Sequence, residues 1–300
     1  MSVYKQRTVL LTGVSGQVGF ELRRTLQGLG RIVAADRAAL NLTDRASIRR
    51  YVRSLRPDII VNPAAYTAVD QAESDVATAR AINAEAPAVF AEEARRLGAL
   101  LIHYSTDYVF DGTETQTSYG EDDATNPQNV YGLTKLEGEQ AITASGVSHL
   151  IFRTSWVFGR RGRNFLASML TLARERDELR IVSDQVGAPT WTSTIAMLTA
   201  CILAQGVSSN GGLIDWAREK SGIYHLTSSG ATSWAGFAEA IFAEARLESA
   251  PRVIPIPSTE YLTAARRPLN SRLDVSKLTR EFGLVPPNWR EALELCLAST

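Results

Sequence analysis

Cysteine is scarce in this chain of 300 residues, which contains only 2. Cys201 lies in an apolar run that covers residues 195–203, and Cys296 lies in another that covers residues 292–297. Both runs have the spacing of a helix face that packs on a core. Two cysteines in such positions favour neither a disulfide framework nor a thiolate metal site.

An excess of charge of one sign and long apolar runs are also missing. Lys+Arg and Asp+Glu both number 32, so the formal net charge is +0 and no global field recruits nucleic acid or an anionic membrane. No segment approaches the roughly 18 uninterrupted apolar residues of a membrane helix. The first residues lead directly into a predicted strand rather than into the apolar part of a signal peptide. We therefore expect a cytoplasmic protein that binds neither nucleic acid nor membranes.

The first informative pattern is a strand, a glycine turn and a helix. An apolar run over residues 8–12 ends at Gly13, and helical periodicity begins at residue 20. The spacing is G-x-x-G-x-x-G rather than G-x-G-x-x-G. Gly13 permits a tight turn, Gly16 lets the backbone approach a pyrophosphate, and Gly19 lets the helix pack on the strand. This context predicts a dinucleotide site.

A second strand, residues 31–36, ends in an acid and a base. Asp36 follows the glycines by about 20 residues, where a carboxylate hydrogen-bonds a ribose 2′-hydroxyl and favours NAD. Arg37 comes next and is suited to the 2′-phosphate of NADP or to stacking on adenine. The residues leave NAD and NADP open.

Strand and helix patterns continue to alternate through the first half of the chain. Helices are predicted over 45–55 and 77–97, and strands over 57–61, 100–110 and 150–154. Alternation of this kind predicts an α/β fold, a Rossmann-type doubly wound parallel sheet with right-handed crossovers. Small and polar residues follow the strand ends, where a ligand crevice forms in such sheets.

The second half of the chain is less regular. Helical patterns cover 163–175, 192–204 and 233–245, and residues 222–226 read as a strand that returns to the main sheet. We expect a Rossmann domain over 1–158, with returning segments near 190–206 and 221–230. A discontinuous, smaller α/β substrate domain would then cover 159–189 and 231–300, with the ligand in the cleft between domains.

Tyr131 and Lys135 form a candidate proton-transfer pair. They lie four positions apart in a predicted helix that Pro127 opens, so both side chains occupy one face. A cation near a phenol favours the phenolate and lowers the pKa of the phenol from its usual value of about 10. Spacing alone is weak support for catalysis, but Thr106 at a strand end and the glycine turn supply the partners that such a pair needs.

The motifs together resemble the dTDP-4-dehydrorhamnose reductase family of the extended short-chain dehydrogenase/reductase superfamily. The resemblance runs essentially from end to end. It is carried by the glycine turn, Asn62-Pro-Ala-Ala65, Ser105-Thr-Asp-Tyr-Val-Phe110, Tyr131-Gly-Leu-Thr-Lys135, Arg153-Thr-Ser-Trp-Val-Phe158, Ser183-Asp-Gln-Val-Gly-Ala-Pro-Thr190 and Arg267-Pro-Leu-Asn-Ser271.

The resemblance implies hydride transfer from NAD(P)H to the C4 ketone of a dTDP-6-deoxy-4-keto-hexose. NADP(H) is the favoured cofactor and NAD(H) the alternative. Tyr131 would be the general acid, Lys135 would lower its pKa and hold the nicotinamide ribose, and Thr106 would hydrogen-bond the reacting oxygen. The implied cofactor-binding residues are Gly13, Ser15, Gly16, Gln17, Val18, Gly19, Asp36, Arg37, Leu42, Ala64, Ala65, Tyr66, Tyr131 and Lys135. The implied substrate-binding residues are Thr67, Val69, Thr106, Asp107, Trp156, Asn164 and Arg267.

Two further expectations concern the oligomeric state and the alternative functions. Some relatives hold Mg²⁺ with glutamates at a dimer contact; Glu21 matches one of these, but Ser193 stands where another acid is expected. A metal-bridged dimer is therefore not favoured, and the chain is expected to be a monomer or a homodimer. The competing functions are an NDP-sugar epimerase or dehydratase with the same site, and a non-catalytic nucleotide-binding regulatory subunit.

Overall fold

The fold is that of a computed structural model, which describes residues 6–114 and 116–298. The β-strands in chain order are β1 (Thr8–Leu11), β2 (Arg31–Ala34), β3 (Ile59–Asn62), β4 (Leu100–Thr106), β5 (His149–Thr154), β6 (Val157–Phe158), β7 (Glu178–Val182), β8 (Val186–Gly187), β9 (Thr190–Trp191), β10 (Gly222–His225), β11 (Thr232–Ser233), β12 (Arg252–Ile256) and β13 (Asn270–Ser271). The α-helices are α1 (Gln17–Thr25), α2 (Arg45–Leu55), α3 (Val69–Ala72), α4 (Val76–Arg80), α5 (Ala86–Leu97), α6 (Val130–Ser145), α7 (Phe165–Leu172), α8 (Thr192–Val207), α9 (Leu213–Glu219), α10 (Trp234–Glu244), α11 (Ser276–Phe282) and α12 (Trp289–Ala298).

A parallel sheet of six strands forms the centre of the described chain, in the order β10-β5-β4-β3-β1-β2. The order reverses at β1, since the chain continues to β2 on one side and to β3 on the other. Ligands of doubly wound sheets bind outside the carboxyl ends of the strands at such a reversal. The predicted fold class is confirmed, and the sheet places its crevice beside the glycine turn.

Helices cover both faces of this sheet, as its unbroken apolar strands require. Side chains alternate along each strand, so Val9 and Leu11 face α1 and α8 while Leu10 faces α2, α5 and α6. Phe90 of α5 and Ile142 of α6 are fully buried on the second face. The two apolar layers hold the strand ends in fixed register.

A second group of elements packs beyond the sheet. β7 pairs with β12, and β8 lies between β11 and β13. Helices α7, α10 and α12 share an apolar cluster built around Phe158, Leu166, Phe237 and Leu293. Strand β10 pairs with β5 in the main sheet, so the chain returns there after leaving it. The domain boundaries near residues 158 and 189 stay a prediction.

One strand prediction and three helix predictions need correction. The strand predicted over 100–110 ends at Thr106, because the Thr106 side chain accepts from Tyr108 N and caps a 3₁₀ turn over Asp107–Val109. The helix of the Tyr131 pair begins at Val130, not at Pro127, because the Asn129 side chain accepts a hydrogen bond from Gly132 N and caps it. The predicted helix over 163–175 is shorter, since α7 begins after a cap at Asn164 and ends at Leu172. The long helix over 77–97 contains a π-helical segment, Ala81–Glu85, between α4 and α5.

Candidate active site

The glycine turn between β1 and α1 has the geometry of a phosphate site. Gly13 has a φ of +58°, and a Cβ on it would lie 2.9 Å from the Ala64 backbone. Gly16 is the N-cap of α1 and no side chain caps the helix, so the first amides of the helix keep their donors. Ser15 and Gly16 are exposed, Gln17 and Val18 are half-buried, and Gly19 is buried in the turn. The predicted phosphate contacts thus lie around one open helix end.

Asp36 and Arg37 lie side by side at the carboxyl end of β2, on the same edge of the sheet as the glycine turn. Both are exposed, just after β2. One oxygen of Asp36, Oδ1, accepts hydrogen bonds from the amides of Ala38 and Ala39, at 3.0 and 2.9 Å. Asp36 therefore shapes its own turn, and its other oxygen remains the one suited to a ribose hydroxyl. Leu42 packs with the apolar layer beneath α2.

The loop after β3 is held by a buried asparagine. Asn83, 1% exposed, accepts from Tyr66 N at 2.8 Å and donates to Tyr66 O and to Thr134 Oγ1, each at 3.2 Å. Asn83 lies in the π-helical segment, a feature that often marks functional sites. Since Ala64 touches Gly13, this asparagine ties the loop of Ala64 and Ala65 to the glycine turn.

Tyr131 lies at the start of α6 against the end of β4. Its hydroxyl hydrogen-bonds Thr106, and its ring meets Tyr108 edge-on, with 5.7 Å between centroids. A Cβ on Gly132 would lie 2.1 Å from Tyr108 O, so only glycine lets α6 approach this closely. The structure therefore brings Thr106 and Tyr131 together as the resemblance implies.

The pKa of Tyr131 differs from the expected lowering. Burial raises it to about 12, and a nearby Asp107 adds to the rise, while the Thr106 hydrogen bond opposes it. Lys135 does not offset the burial of the phenol, because its ammonium is engaged elsewhere. Tyr131 is thus a protonated donor at neutral pH rather than a partial phenolate.

Lys135 is buried at the sheet and has an unexpected partner. Its Nζ lies 3.0 Å from His103 Nε2 and donates to Tyr104 O at 2.5 Å. Burial lowers the pKa of Lys135 from 10.5 to about 8, and the charge of Glu139 opposes the change. Glu139 is itself paired with Arg153 in an ion pair whose side chains are 2% and 3% exposed.

Buried polar atoms collect at the carboxyl ends of β4, β5 and β10. Within the described residues, the side-chain oxygens that are buried without a hydrogen-bond partner are Ser105 Oγ, Asp107 Oδ2, Thr154 Oγ1, Thr227 Oγ1 and Ser228 Oγ. Burial raises the pKa of Asp107 from 3.8 to about 6, while hydrogen bonds from Ser271 and Thr106 oppose the rise. Buried oxygens without a hydrogen-bond partner destabilise the fold unless a polar ligand or water forms hydrogen bonds with them.

Trp156 follows β5 in a strained conformation. Its φ is +47°, and its ring stacks on Trp234 at 3.5 Å with 7° between the planes. The Gly187 backbone lies against the ring edge, where a Cβ would come within 2.7 Å of Trp156 Cε2. These two contacts hold the Trp156 ring in one orientation at the end of β5.

The other predicted substrate residues have protein partners. Asn164 donates to Gln17 Oε1 at 2.8 Å and to Gly159 O at 2.7 Å, so it links α7 to the glycine turn. Arg267 forms a bidentate pair with Asp70 at 2.7 and 3.2 Å. Thr67 is exposed and Val69 half-buried beside that pair.

The residues overlooked in the sequence are His103, Asn62, Thr12 and Trp234. Asn62 ends β3, His103 lies within β4 and Thr12 follows β1, so composition makes all three look like ordinary strand residues. Asn62 and His103 are direct partners across β3 and β4. Only the strand register, which the sequence does not display, brings them to Lys135.

Neither a metal nor a membrane is indicated among residues 6–114 and 116–298. They contain no group of three or more His, Cys, Asp or Glu side chains placed to hold a metal ion. None of their helices is both long and apolar enough to span a bilayer.

Sequence comparison relates the chain to enzymes of nucleotide-sugar reduction. A family model described as the RmlD substrate binding domain matches residues 7–300. The dTDP-4-dehydrorhamnose reductase of Burkholderia thailandensis is 48% identical over 96% of this chain and 97% of its own length. That of Escherichia coli strain K12 is 43% identical, with 96% of each chain covered.

Solved structures give the same relation. A Bacillus anthracis dTDP-4-dehydrorhamnose reductase in complex with NADP has a TM-score of 0.88 and 34% identity, with 98% of this chain and 100% of that chain covered. A Thermus thermophilus UDP-glucose 4-epimerase in complex with NAD, with a TM-score of 0.79, 18% identity and 97% and 98% coverage, shows a shared fold. With a family model across nearly all of its length and full-length relatives at these identities, the chain belongs to the dTDP-4-dehydrorhamnose reductase family.

Proposed function

We propose that the protein reduces the C4 ketone of dTDP-4-dehydro-β-L-rhamnose to give dTDP-L-rhamnose, with NADPH as the preferred reductant and NADH as an alternative. The observation that carries the proposal is the placement of the Tyr131 hydroxyl beside Thr106 at the ligand edge of the sheet. It occurs in a chain that is 48% identical to a dTDP-4-dehydrorhamnose reductase. The proposed setting is the cytoplasm, as a monomer or homodimer that needs no Mg²⁺.

The residues present fit a dinucleotide. The turn at Gly13 has no room for a side chain, and the uncapped N-terminus of α1 offers amide donors to a pyrophosphate. Asp36 and Arg37 flank the position of an adenosine ribose. A dinucleotide bound here supplies a hydride, two electrons and a proton, to the carbonyl carbon.

Tyr131 supplies the second proton of the reduction. Its raised pKa keeps the hydroxyl protonated, and transfer of that proton to the carbonyl oxygen as the hydride arrives converts the ketone to an alcohol. Thr106 Oγ1 donates to Asp107 Oδ1 at 3.0 Å in the structure, and would turn this proton to the substrate oxygen and stabilise its developing charge. Lys135, whose ammonium contacts His103 and Tyr104 O, is proposed to hold the nicotinamide ribose.

The sugar nucleotide is proposed to lie between the sheet edge and the elements that carry Trp156. The unpaired oxygens of Ser105, Asp107 and Thr154 suit sugar hydroxyls. Trp156 offers an aromatic face, and Arg267 lies beside the pocket in its pair with Asp70. Thr67 and Val69 would line the mouth, and Asn164 would act through Gln17 rather than by direct contact.

The decisive experiment follows NADPH and NADH oxidation with dTDP-4-dehydro-L-rhamnose beside a GDP-linked 4-keto-sugar. We expect consumption of NADPH with the dTDP-sugar and little with the GDP-sugar. No consumption with either sugar would remove the proposed function. Cofactor that stays bound through purification and is not consumed would instead indicate an epimerase or dehydratase, because those enzymes recycle it. An inactive protein that still binds nucleotide would indicate a regulatory subunit.

A further inference from the structure

A buried row of polar side chains crosses three neighbouring strands and ends at Lys135. Thr12 Oγ1 donates to Asn62 Oδ1 at 2.6 Å, and Asn62 Nδ2 lies 3.2 Å from His103 Nδ1. His103 Nε2 lies 3.0 Å from Lys135 Nζ. The four residues are at most 2% exposed. The row begins beside the glycine turn and runs under the edge where the reaction is proposed to occur.

The chemistry of the ammonium fixes the state of the ring. A lysine ammonium only donates, so His103 Nε2 must accept and the ring must be neutral with its proton on Nδ1. Burial and the charge of Lys135 both hold the pKa of His103 well below its usual value, while a backbone hydrogen bond to Asn62 opposes that shift. In the structure Asn62 Nδ2 faces the ring and Oδ1 accepts from Thr12 Oγ1. A 180° rotation of the amide exchanges its two terminal atoms, so that Oδ1 accepts from Nδ1–H of His103 and Thr12 Oγ1 accepts from Nδ2.

The other charged and titratable groups around Lys135 do not compete with the His103 ring for the ammonium. Glu139, on the next turn of α6, is the acid whose charge acts on the ammonium, and Arg153 of β5 neutralises it through a bidentate contact. Tyr131 lies on the same helix face and stays protonated. With one N–H on His103 and a second on Tyr104 O, the ammonium keeps its third N–H for a ligand.

We propose that His103 is a positioning residue for the reduction: its neutral ring holds the Lys135 ammonium at the ligand edge with one N–H directed outward. This inference rests on the proposed function, since Lys135 matters only where a nicotinamide ribose is to be held. A buried lysine without an acceptor on this side would adopt other rotamers or lose its proton. A misplaced ammonium then weakens cofactor placement and slows the chemical step.

The test compares His103→Leu with His103→Gln, because the Gln oxygen reproduces the acceptor at Nε2 and leucine does not. We expect His103→Leu to lower kcat about 10- to 100-fold and to weaken NADPH binding, and His103→Gln to stay within about threefold of wild type. In His103→Leu the alkaline limb of the kcat–pH profile moves to lower pH, since the ammonium loses its acceptor. His149→Leu is the matched control, because His149 is also buried, at the start of β5, and its ring nitrogen Nδ1 lies 2.8 Å from the backbone oxygen of Val147, away from Lys135.

A loss that is merely structural would lower stability in both leucine variants and leave both pH profiles unchanged, which would overturn the proposal. Equal kcat values for His103→Leu and wild type would do the same. Should His103→Leu not fold, ring-nitrogen NMR of the wild-type protein decides, and its 3 histidines make assignment practical. A neutral ring protonated on Nδ1 between about pH 6 and 9 supports the proposal, whereas a proton on Nε2 or a charged ring contradicts it.

The NMR experiment and NADPH titration also separate this inference from the proposed function. If wild type binds NADPH but reduces neither sugar, the proposed function fails. His103 is then still judged by its tautomer and by the NADPH affinity of the leucine and glutamine variants. If wild type reduces the dTDP-sugar and His103→Leu does so equally well at every pH, the function stands and the inference fails.

Discussion

The proposed chemistry depends on one residue, Tyr131, whose hydroxyl is the proton donor. It lies at a helix start, in contact with Thr106, with a pKa of about 12 that keeps its proton available. Tyr131→Phe removes the proton donor and leaves the ring and the glycine turn in place. We expect turnover to fall by at least about 10²-fold with NADPH affinity little changed, measured by steady-state oxidation and by fluorescence titration. Tyr51→Phe, on α2 and away from the site, is the control; wild-type turnover in Tyr131→Phe would exclude the acid role.

Asp107 predicts a dependence of stability on pH. Its folded-state pKa of about 6 lies above the ordinary 3.8, so the folded state binds more protons in that interval and stability falls as the pH rises through it. Ionisation of the buried Asp107 does not destabilise the fold below about pH 4, where the carboxyl is protonated in both states. Above about pH 6 the destabilisation is complete, and the rise of the pKa from 3.8 to about 6 sets its upper limit at about 3 kcal/mol.

Asp107→Asn removes this titration. The free energy of unfolding of Asp107→Asn relative to wild type should therefore increase between pH 4 and pH 7, by up to about 3 kcal/mol, in urea titrations at several pH values. Asp177→Asn, at an exposed position, should show no such trend. A difference between Asp107→Asn and wild type that is constant with pH would contradict the assignment.

At the scale of secondary structure, the π-helical segment between α4 and α5 positions a buried side chain that holds the loop after β3. It turns Asn83 inward, where one side chain satisfies both backbone groups of Tyr66 and reaches Thr134 of α6. Periodicity in the sequence predicted one continuous helix here, because a π turn leaves the composition unchanged. The loop after β3 therefore owes its position to a helix irregularity.

Asn83→Ala leaves the amide and carbonyl of Tyr66 without their partners. We expect a loss of about 1–3 kcal/mol in the free energy of unfolding, because the buried backbone groups are then unsatisfied. NADPH affinity should fall as well, since Ala64 of this loop packs on Gly13. Asn210→Ala, at an exposed turn, should change stability by less than about 0.5 kcal/mol. Unchanged NADPH affinity in Asn83→Ala would show that the loop is held by other contacts.

At the scale of the whole molecule, the ion pair of Asp70 and Arg267 joins the segment after β3 to a segment 197 residues later in the chain. Ala265 N also donates to Asp70 Oδ1 at 3.0 Å. Hydrogen bonding to Arg267 lowers the pKa of Asp70, so the carboxylate is charged at neutral pH. The pair fastens the two sides of the proposed substrate pocket.

A double-mutant cycle on Asp70→Ala and Arg267→Ala measures this contact. We expect each single variant to raise KM for the sugar nucleotide, with NADPH affinity unchanged because the glycine turn lies elsewhere. The two effects should not add, and the coupling energy should fall between about 0.5 and 3 kcal/mol. Additive effects would indicate that each residue contacts the substrate independently.

The sequence by itself determined the fold class and the edge of the sheet at which a ligand site is expected. Apolar runs that alternate with helical periodicity leave a parallel sheet as the arrangement that buries them, and a glycine turn after the first strand marks its ligand edge. Thr106, Tyr131 and Lys135 could be predicted as site residues because the spacing of the Tyr–Lys pair and the polar strand end are local properties of the chain, while the family resemblance implied their roles.

The tertiary structure alone decided which side chains these residues meet. His103 reaches Lys135, Asn83 reaches Tyr66, and Asn164 reaches Gln17 only because strand register and helix packing join positions that are 32, 17 and 147 residues apart. The pKa values of Tyr131 and Lys135 followed burial rather than their spacing on one helix face, because in a closed interior the cost of removing a charge from water exceeds the help of a cation that is already engaged.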